Sequence, residues 1–291
     1  MFVTGVATPE HFITFALSRL LRKPVVVIDS HWFWPRTLPA RILWPIGKLI
    51  ANHGSVLAIV GKRAKKFWAL SGISHKRITI FNYYYSNLEA NERNIAICEQ
   101  LRATYGNRKI IFFLGRLKKG KGVQYLINAF ASQPTQEKLL LLIGGEGPER
   151  RDLEDLCNNL KLKNVVFTGL LIGDLKVAHF LISDIFVYPS TGETTNLEEW
   201  GVAVNEAMSL GKPIVVSSLA GCAYDLVEQG LNGYIVPPCD TQALSKALTT
   251  LLKNDALRIE MGRVSSEIIQ NFTYDEARKR LEEIVEKASA Y

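Results

Sequence analysis

From residue 109 to residue 236 the chain alternates short apolar runs with longer amphipathic ones, and this alternation narrows its possible folds more than any other feature. Strand followed by helix, repeated, is the pattern of a parallel sheet covered on both faces. The runs predict strands at 109–114, 138–143, 165–168, 185–188, 213–217 and 234–236, each rich in Val, Ile, Leu or Phe and bounded by Gly, Pro or Asp. Helical patterns fall between them, near 122–132, 148–160, 175–182, 202–210, 223–229 and 241–253. Six strands with interleaved helices make one complete doubly wound domain. Two more helices, 256–270 and 274–288, follow it, and the second is placed to leave the domain.

The first hundred residues hold a shorter version of the same pattern. A helix over 9–21 leads into the strand "PVVVIDSH"; a strand "SVLAIV", a helix over 62–70 and a strand "RITIF" follow. This amounts to about half of a second doubly wound domain, and 83–107 reads as a linker and a helix. The expected division is 1–107, 108–270 and 271–291. A length of 291 residues leaves room for two cores.

No run of apolar residues reaches the length of a membrane span, and the N-terminus lacks the marks of an export signal, so the cytoplasm is the expected compartment. Cys98, Cys157, Cys222 and Cys239 show no CxxC spacing and read as core or surface thiols. The net charge of +7 points to an anionic partner: a phosphate-bearing ligand, anionic lipid or nucleic acid. Nucleic acid is disfavoured, because aromatic residues are not interleaved with the basic ones as stacking platforms.

Ligands of open parallel sheets bind beyond the carboxyl ends of the strands, so the turns after the strands matter most. In "FLGRLKKGKG", Gly115 is followed by Arg116, Lys118, Lys119 and Lys121 before a helix, a combination suited to a diphosphate or simply to a solvated basic turn. In "LLLLIGGEGPERRDLEDL", Gly144, Gly145 and Gly147 allow a tight turn and close approach of a ligand. A dinucleotide fingerprint would need a further glycine where Arg150 stands. In "GETTNLEEWGVAVNEAM", Glu198 precedes a helix and Glu206 lies about one turn inside it, so both could accept hydrogen bonds from sugar hydroxyls. The plainer reading makes Glu198 a helix-start acid and Glu206 a solvated one, but Glu206 sits among apolar residues, where a carboxylate needs a partner.

"GRLKKGKGVQYLINAF", "IGGEGPERRDLEDL", "NVVFTGLL", "DIFVYPS" and "EEWGVAVNEAMSLGKPIVVSSLAGCAYDLVEQGLNGYIVPPCD" follow one another in the order and spacing of the C-terminal domain of family-4 (group 1) glycosyltransferases, and the chain resembles that family. The resemblance covers about residues 78–291. It implies an α/β fold of the GT-B type, with two Rossmann-like doubly wound domains, the N-terminal one incomplete here.

The implied activity is transfer of a sugar from a nucleotide diphosphate sugar to an acceptor (glycan, lipid or small molecule) with retention of anomeric configuration. No metal and no cofactor are implied. Arg116 and Lys121 match the basic pair that holds the diphosphate, Glu198 the glutamate near the anomeric centre, and Glu206 the one that binds the ribose. Gly115, Gly145 and the backbone of Trp200, Gly201 and Val202 match donor contacts. In "PVVVIDSHWFW", His31 matches the histidine that faces the donor sugar.

Members of the family usually have a strand, a glycine-rich loop and further units before the segment matched by residues 1–30. The chain is therefore expected to be a fragment, half of a split enzyme or a shortened protein. An open strand edge and uncovered apolar surface would call for a partner chain. A partner-dependent, non-catalytic nucleotide-sugar-binding subunit is the alternative function. In "GKRAKKFWAL", Lys62, Arg63, Lys65 and Lys66 stand beside Phe67 and Trp68, a pattern suited to peripheral contact with anionic lipid or to a solvated helix face.

Overall fold

The computed structural model describes residues 2–4, 9–33, 38–85, 88–134, 136–192 and 198–290. The chain divides into two compact units, 1–84 with 272–291, and 85–271.

The first unit is a parallel sheet in the order β1-β2-β3-β4, formed by β1 (Phe2–Thr4), β2 (Val26–Asp29), β3 (Val56–Ile59) and β4 (Ile78–Ile80). The crossovers are α1 (Pro9–Leu20), α2 (Leu38–His53) and α3 (Gly61–Leu70). Each strand is added on the same side of the last, so right-handed crossovers place all three helices on one face. The core shows this: Phe12 and Phe15 of α1, Trp44 and Ile50 of α2, and Phe67 and Trp68 of α3 pack with Val25, Val27, Leu57 and Ile59. The aromatic pair of "GKRAKKFWAL" is therefore core; Phe67 and Trp68 are buried, and Trp44 stacks on Trp68 with ring centroids 5.2 Å apart.

The second unit opens with α4 (Glu92–Tyr105) and continues through β5 (Lys109–Leu114), α5 (Val123–Ala131), β6 (Leu139–Gly144), α6 (Arg150–Asn159), β7 (Val165–Gly169), α7 (Gly173–Ile182) and β8 (Ile185–Tyr188). It ends with α8 (Val202–Ser209), β9 (Ile214–Ser217), α9 (Ala223–Leu226), β10 (Gly233–Val236), α10 (Thr241–Lys253) and α11 (Asp255–Ile269). Its six strands lie in the order β10-β9-β8-β5-β6-β7, all parallel. The chain leaves β5 to build one wing and returns to build the other from β8, so the topological switch lies between β5 and β8.

The boundary falls after residue 84 rather than at 107 because α4 belongs to the second unit. Asn91 and Asn94 form a capping box at its start, and Asn91 also donates to Asp174 of α7 at 3.1 Å. Near its end, Arg102 donates to the Ile182 carbonyl at 2.6 Å. After α11 the chain returns to the first unit as α12 (Tyr274–Ser289), whose Ile284 and Ala288 cover Val26, Val56 and Ala58 on the sheet face opposite α1–α3.

Lys212, just before β9, gives a pH test of the second unit. Its ammonium is buried, donating to the carbonyls of Leu181 and Ser183 at 2.9 and 2.8 Å. Burial lowers its pKa to about 8 from the ordinary 10.5, against a smaller upward pull from Asp184. The folded state thus holds fewer protons than the unfolded one between those two values, and Lys212 contributes a stability that rises with pH through that window. Compared with Lys212→Met, the wild type is expected to gain on the order of 3 kcal/mol between pH 7.5 and 10.5, read by urea unfolding.

Candidate active site

The turn after β5 docks on the turn after β8. The short 3-10 helix Lys119–Lys121 ends at Gly122, whose φ of 68° is left-handed. The Gly120 carbonyl accepts from the amide of Thr191 and the hydroxyl of Ser190, both at 3.0 Å. A Cβ on Gly122 would lie 2.1 Å from the Pro189 carbonyl oxygen, so only glycine lets the two turns approach this closely.

This docking delivers Lys121 into the crevice at the topological switch. Its ammonium donates to the Tyr188 hydroxyl at 2.6 Å, lies 5.0 Å from the centre of the Tyr188 ring, and pairs with the Glu198 carboxylate. The Lys121 and Glu198 side chains are 10% and 19% exposed, so the pair is shielded but open on one side. Burial, reinforced by the Glu198 charge, pushes the Tyr188 phenol well above its ordinary 10. It therefore stays protonated, accepting from Lys121 and donating to Glu198. A buried ion pair is weak evidence for stability, since desolvation offsets most of the attraction. One held at a sheet's switch point, with its edge toward solvent, is suited to meet a charged ligand.

Glu206 sits elsewhere on α8. Its carboxylate accepts from Lys176 of α7 at 2.5 Å, the partner its apolar setting requires. That contact engages one of the two oxygens, so the carboxylate keeps capacity for further donors. Gly201, at φ 115°, precedes α8, whose first turn has no capping side chain and no acid. Val202 opens the helix and is exposed. The indole of Trp200 is buried and donates to Asn205 at 2.7 Å, and its carbonyl accepts from the Cys222 amide. The polar loop 193–197 before Glu198 lies outside the described residues.

The glycines after β5 and β6 bring two loops of the protein together. The Gly115 amide donates to Gly144 O at 3.0 Å, and a Cβ on Gly145 would stand 2.0 Å from Gly115 O. A Cβ on Gly147 would stand 2.2 Å from Leu117 O. These residues let two loops of the protein pack backbone to backbone; that packing accounts for Gly145 and Gly147 without a ligand. Arg116, on the first of these loops, is exposed and makes no ion pair with a described residue.

His31 belongs to the first unit, beyond the end of β2. Its Nδ1 lies 3.0 Å from both carboxylate oxygens of Asp29, and its backbone amide donates to Oδ1 at 2.7 Å. Trp68 Nε1 donates to the same oxygen at 3.3 Å, and the Asp29 side chain has no exposure. A carboxylate cannot donate, so Nδ1 carries a proton toward Asp29. Asp29, Ser30, His31, Phe81, Tyr84 and Tyr274 line a cavity of about 590 Å³ at this edge of the sheet.

Sequence reasoning thus missed Tyr188, Lys176 and Asp29. Tyr188 and Asp29 read as the last residues of buried strands, and the Lys176 to Glu206 pair joins two helices with no local pattern to announce it.

A family model described as glycosyl transferases group 1 matches residues 99–267. Among curated proteins, the chain is 28% identical over 267 residues to an alpha-D-kanosaminyltransferase of Streptomyces kanamyceticus, covering 86% of this chain and 67% of that protein. It is 26% identical over 284 residues to the Arabidopsis thaliana sulfoquinovosyl transferase SQD2, covering 93% of this chain and 53% of that one. The chain thus spans about half to two thirds of the length of these relatives. Among solved structures, Anabaena HepE in complex with UDP superposes with a TM-score of 0.84 at 21% identity, over 100% of this chain and 79% of that one. Sucrose-phosphate synthase from Thermosynechococcus elongatus gives 0.74 at 18% identity, over 99% and 73%. These likenesses show the α/β fold with Rossmann-like units.

Proposed function

This chain belongs to the group 1 glycosyl transferase family, and from that premise we propose that it binds a nucleotide diphosphate sugar and transfers the sugar, with retention of configuration, to a hydroxyl of a glycan, lipid or small molecule. The observation that carries this reading is the shielded Lys121 to Glu198 pair with Tyr188 at the switch point of the second unit. The Glu198-x7-Glu206 spacing supports the family-4 branch.

In this proposal Lys121 and Arg116 neutralise the diphosphate, with the uncapped N-terminal amides of α8, Val202 foremost, adding a third source of positive potential. Protein cations rather than a divalent ion then meet the leaving charge. Glu198 holds a hydroxyl of the transferred sugar, and its ion pair with Lys121 ties sugar position to phosphate position. Glu206 accepts from the ribose hydroxyls with Lys176 beside it. Gly115, Gly145, Trp200 and Gly201 shape the backbone around the donor. In the first unit, Asp29 holds the His31 ring for a hydrogen bond to a sugar hydroxyl.

The bond between C1 and the phosphate oxygen breaks, the acceptor oxygen bonds to C1 on the same face, and the acceptor proton passes to the departing phosphate oxygen. Atoms and charge balance, and the role of the protein is to stabilise the diphosphate as its charge grows. A partner-dependent subunit that binds donor without turnover remains the alternative, since the chain spans only part of its relatives. The cytoplasm is the proposed compartment.

Titration of the chain by calorimetry against nucleoside diphosphates and their sugars tests the reading. UDP is the first ligand to try, because the Anabaena neighbour was crystallised with it. One donor is expected to bind saturably, and Glu206→Gln to weaken it about tenfold, the loss of one charged hydrogen-bond acceptor. A folded chain that binds no member of the panel would overturn the proposal.

A further inference from the structure

Helices α1 and α2 are apolar on two opposite sides. Inward, Phe12, Phe15, Trp44 and Ile50 join the core beneath the helix layer. Outward, Ile13, Leu17 and Leu20 of α1 recur at helical spacing, as do Leu38, Ile42, Ile46 and Leu49 of α2, and all seven are between 43% and 78% exposed. A helix that is apolar all round is ordinarily covered all round. Since both helices lie on the same face of the sheet, the two outer stripes belong to one surface layer.

Among the described side chains, the exposed charge around that surface is of one sign. Between Glu10 and Glu89 the sequence holds a single acid, Asp29, and its carboxylate is buried. Over the same stretch Arg19, Arg22 and Lys23 adjoin the α1 stripe, Arg41 and Lys48 adjoin the α2 stripe, and all five are exposed. Helix α3, in the same layer, adds the exposed Lys62, Lys65 and Lys66. The acids of the first unit's last helix, among them Glu282, Glu283 and Glu286, are carried by α12, which covers the opposite sheet face.

We propose that the outer surface of the α1 and α2 layer docks on the headgroup region of an anionic lipid bilayer. The outward leucines and isoleucines enter the headgroup boundary, while Lys and Arg around them reach the lipid phosphates. Charge complementarity selects this occupant, since among the described side chains of α1, α2 and α3 the exposed charges are all cations, which suits an anionic plane. Nucleic acid would satisfy the cations but leave two apolar stripes in water. Each helix already buries one side against the sheet, and no helix among the described residues is long and apolar enough to cross a membrane, so the contact is with the membrane surface. The site therefore differs from the Phe67 and Trp68 pattern, whose aromatics are core.

Vesicle flotation of the full chain tests this, with phosphatidylcholine alone and with one third phosphatidylglycerol. Binding is expected only to the anionic vesicles, to weaken in high salt, and to fall about tenfold or more in the double substitution Ile42→Glu and Ile46→Glu. Both positions are exposed, so the variant should keep the wild-type circular dichroism and melting temperature. Binding to neither vesicle, equal binding to both, or unchanged binding by the variant would each overturn the proposal. So would a wild-type dimer in size-exclusion chromatography that the double substitution converts to monomer, because the surface would then be an interface between copies. Nucleotide titration of the same samples reads the donor site separately, so failure of lipid binding and failure of the proposed activity are distinguishable.

Discussion

Lys121→Ala is expected to lower kcat/KM for sugar transfer about 10²–10³-fold, the usual loss when one preorganised charge stabiliser is removed from a shielded site. Lys121 is the cation that the fold itself delivers to the switch point, held by Tyr188 on one side and Glu198 on the other. Arg116 is exposed and makes no ion pair with a described residue, so its position is less determined and Arg116→Ala should lose less. Truncating Lys121 also removes the cation beside Glu198, whose negative charge would then repel a diphosphate. Nucleoside diphosphate affinity should therefore fall together with turnover. Measurement of steady-state kinetics and of nucleotide affinity on the same variant checks both; a fall in neither would remove Lys121 from the site.

The second large effect is structural. Gly122→Ala is expected to destabilise the second unit by roughly 2–4 kcal/mol, from a left-handed backbone now carrying a Cβ and from a Cβ driven onto the Pro189 carbonyl. Thermal melting should place Gly122→Ala several degrees below the wild type. An unchanged melting temperature would mean that the close approach of the two turns is not a constraint.

The strands of the second unit were legible because burial on both faces leaves near-continuous apolar runs, as in "KIIFFL" and "LLLLIG". Helix α2 was not, for a related reason: in "LPARILWPIGKLIANH" apolar residues occupy both the inner and the outer side, so the usual periodicity is erased, and Pro45 lies in the middle. Strand β1 has three residues, too few to register against the following helix. In the site, the approach of Lys121 to Glu198 follows from two turns that both leave the carboxyl edge of one sheet, and spacing within each turn was readable. The partnership of Glu206 with Lys176 was not readable, since it depends on how α7 and α8 face each other. The glycines of "IGGEG" were legible as turn residues, but only coordinates could show that their close contact is with the Gly115 to Leu117 loop of the same protein.

The first unit is closed by α12, drawn from the far end of the chain, over Val26, Val56 and Ala58. During synthesis those valines emerge more than two hundred residues before the helix that covers them. The second unit, continuous in sequence, can complete itself on the ribosome. The first must wait with one sheet face bare until α12 has been made, which makes it the part most sensitive to premature termination.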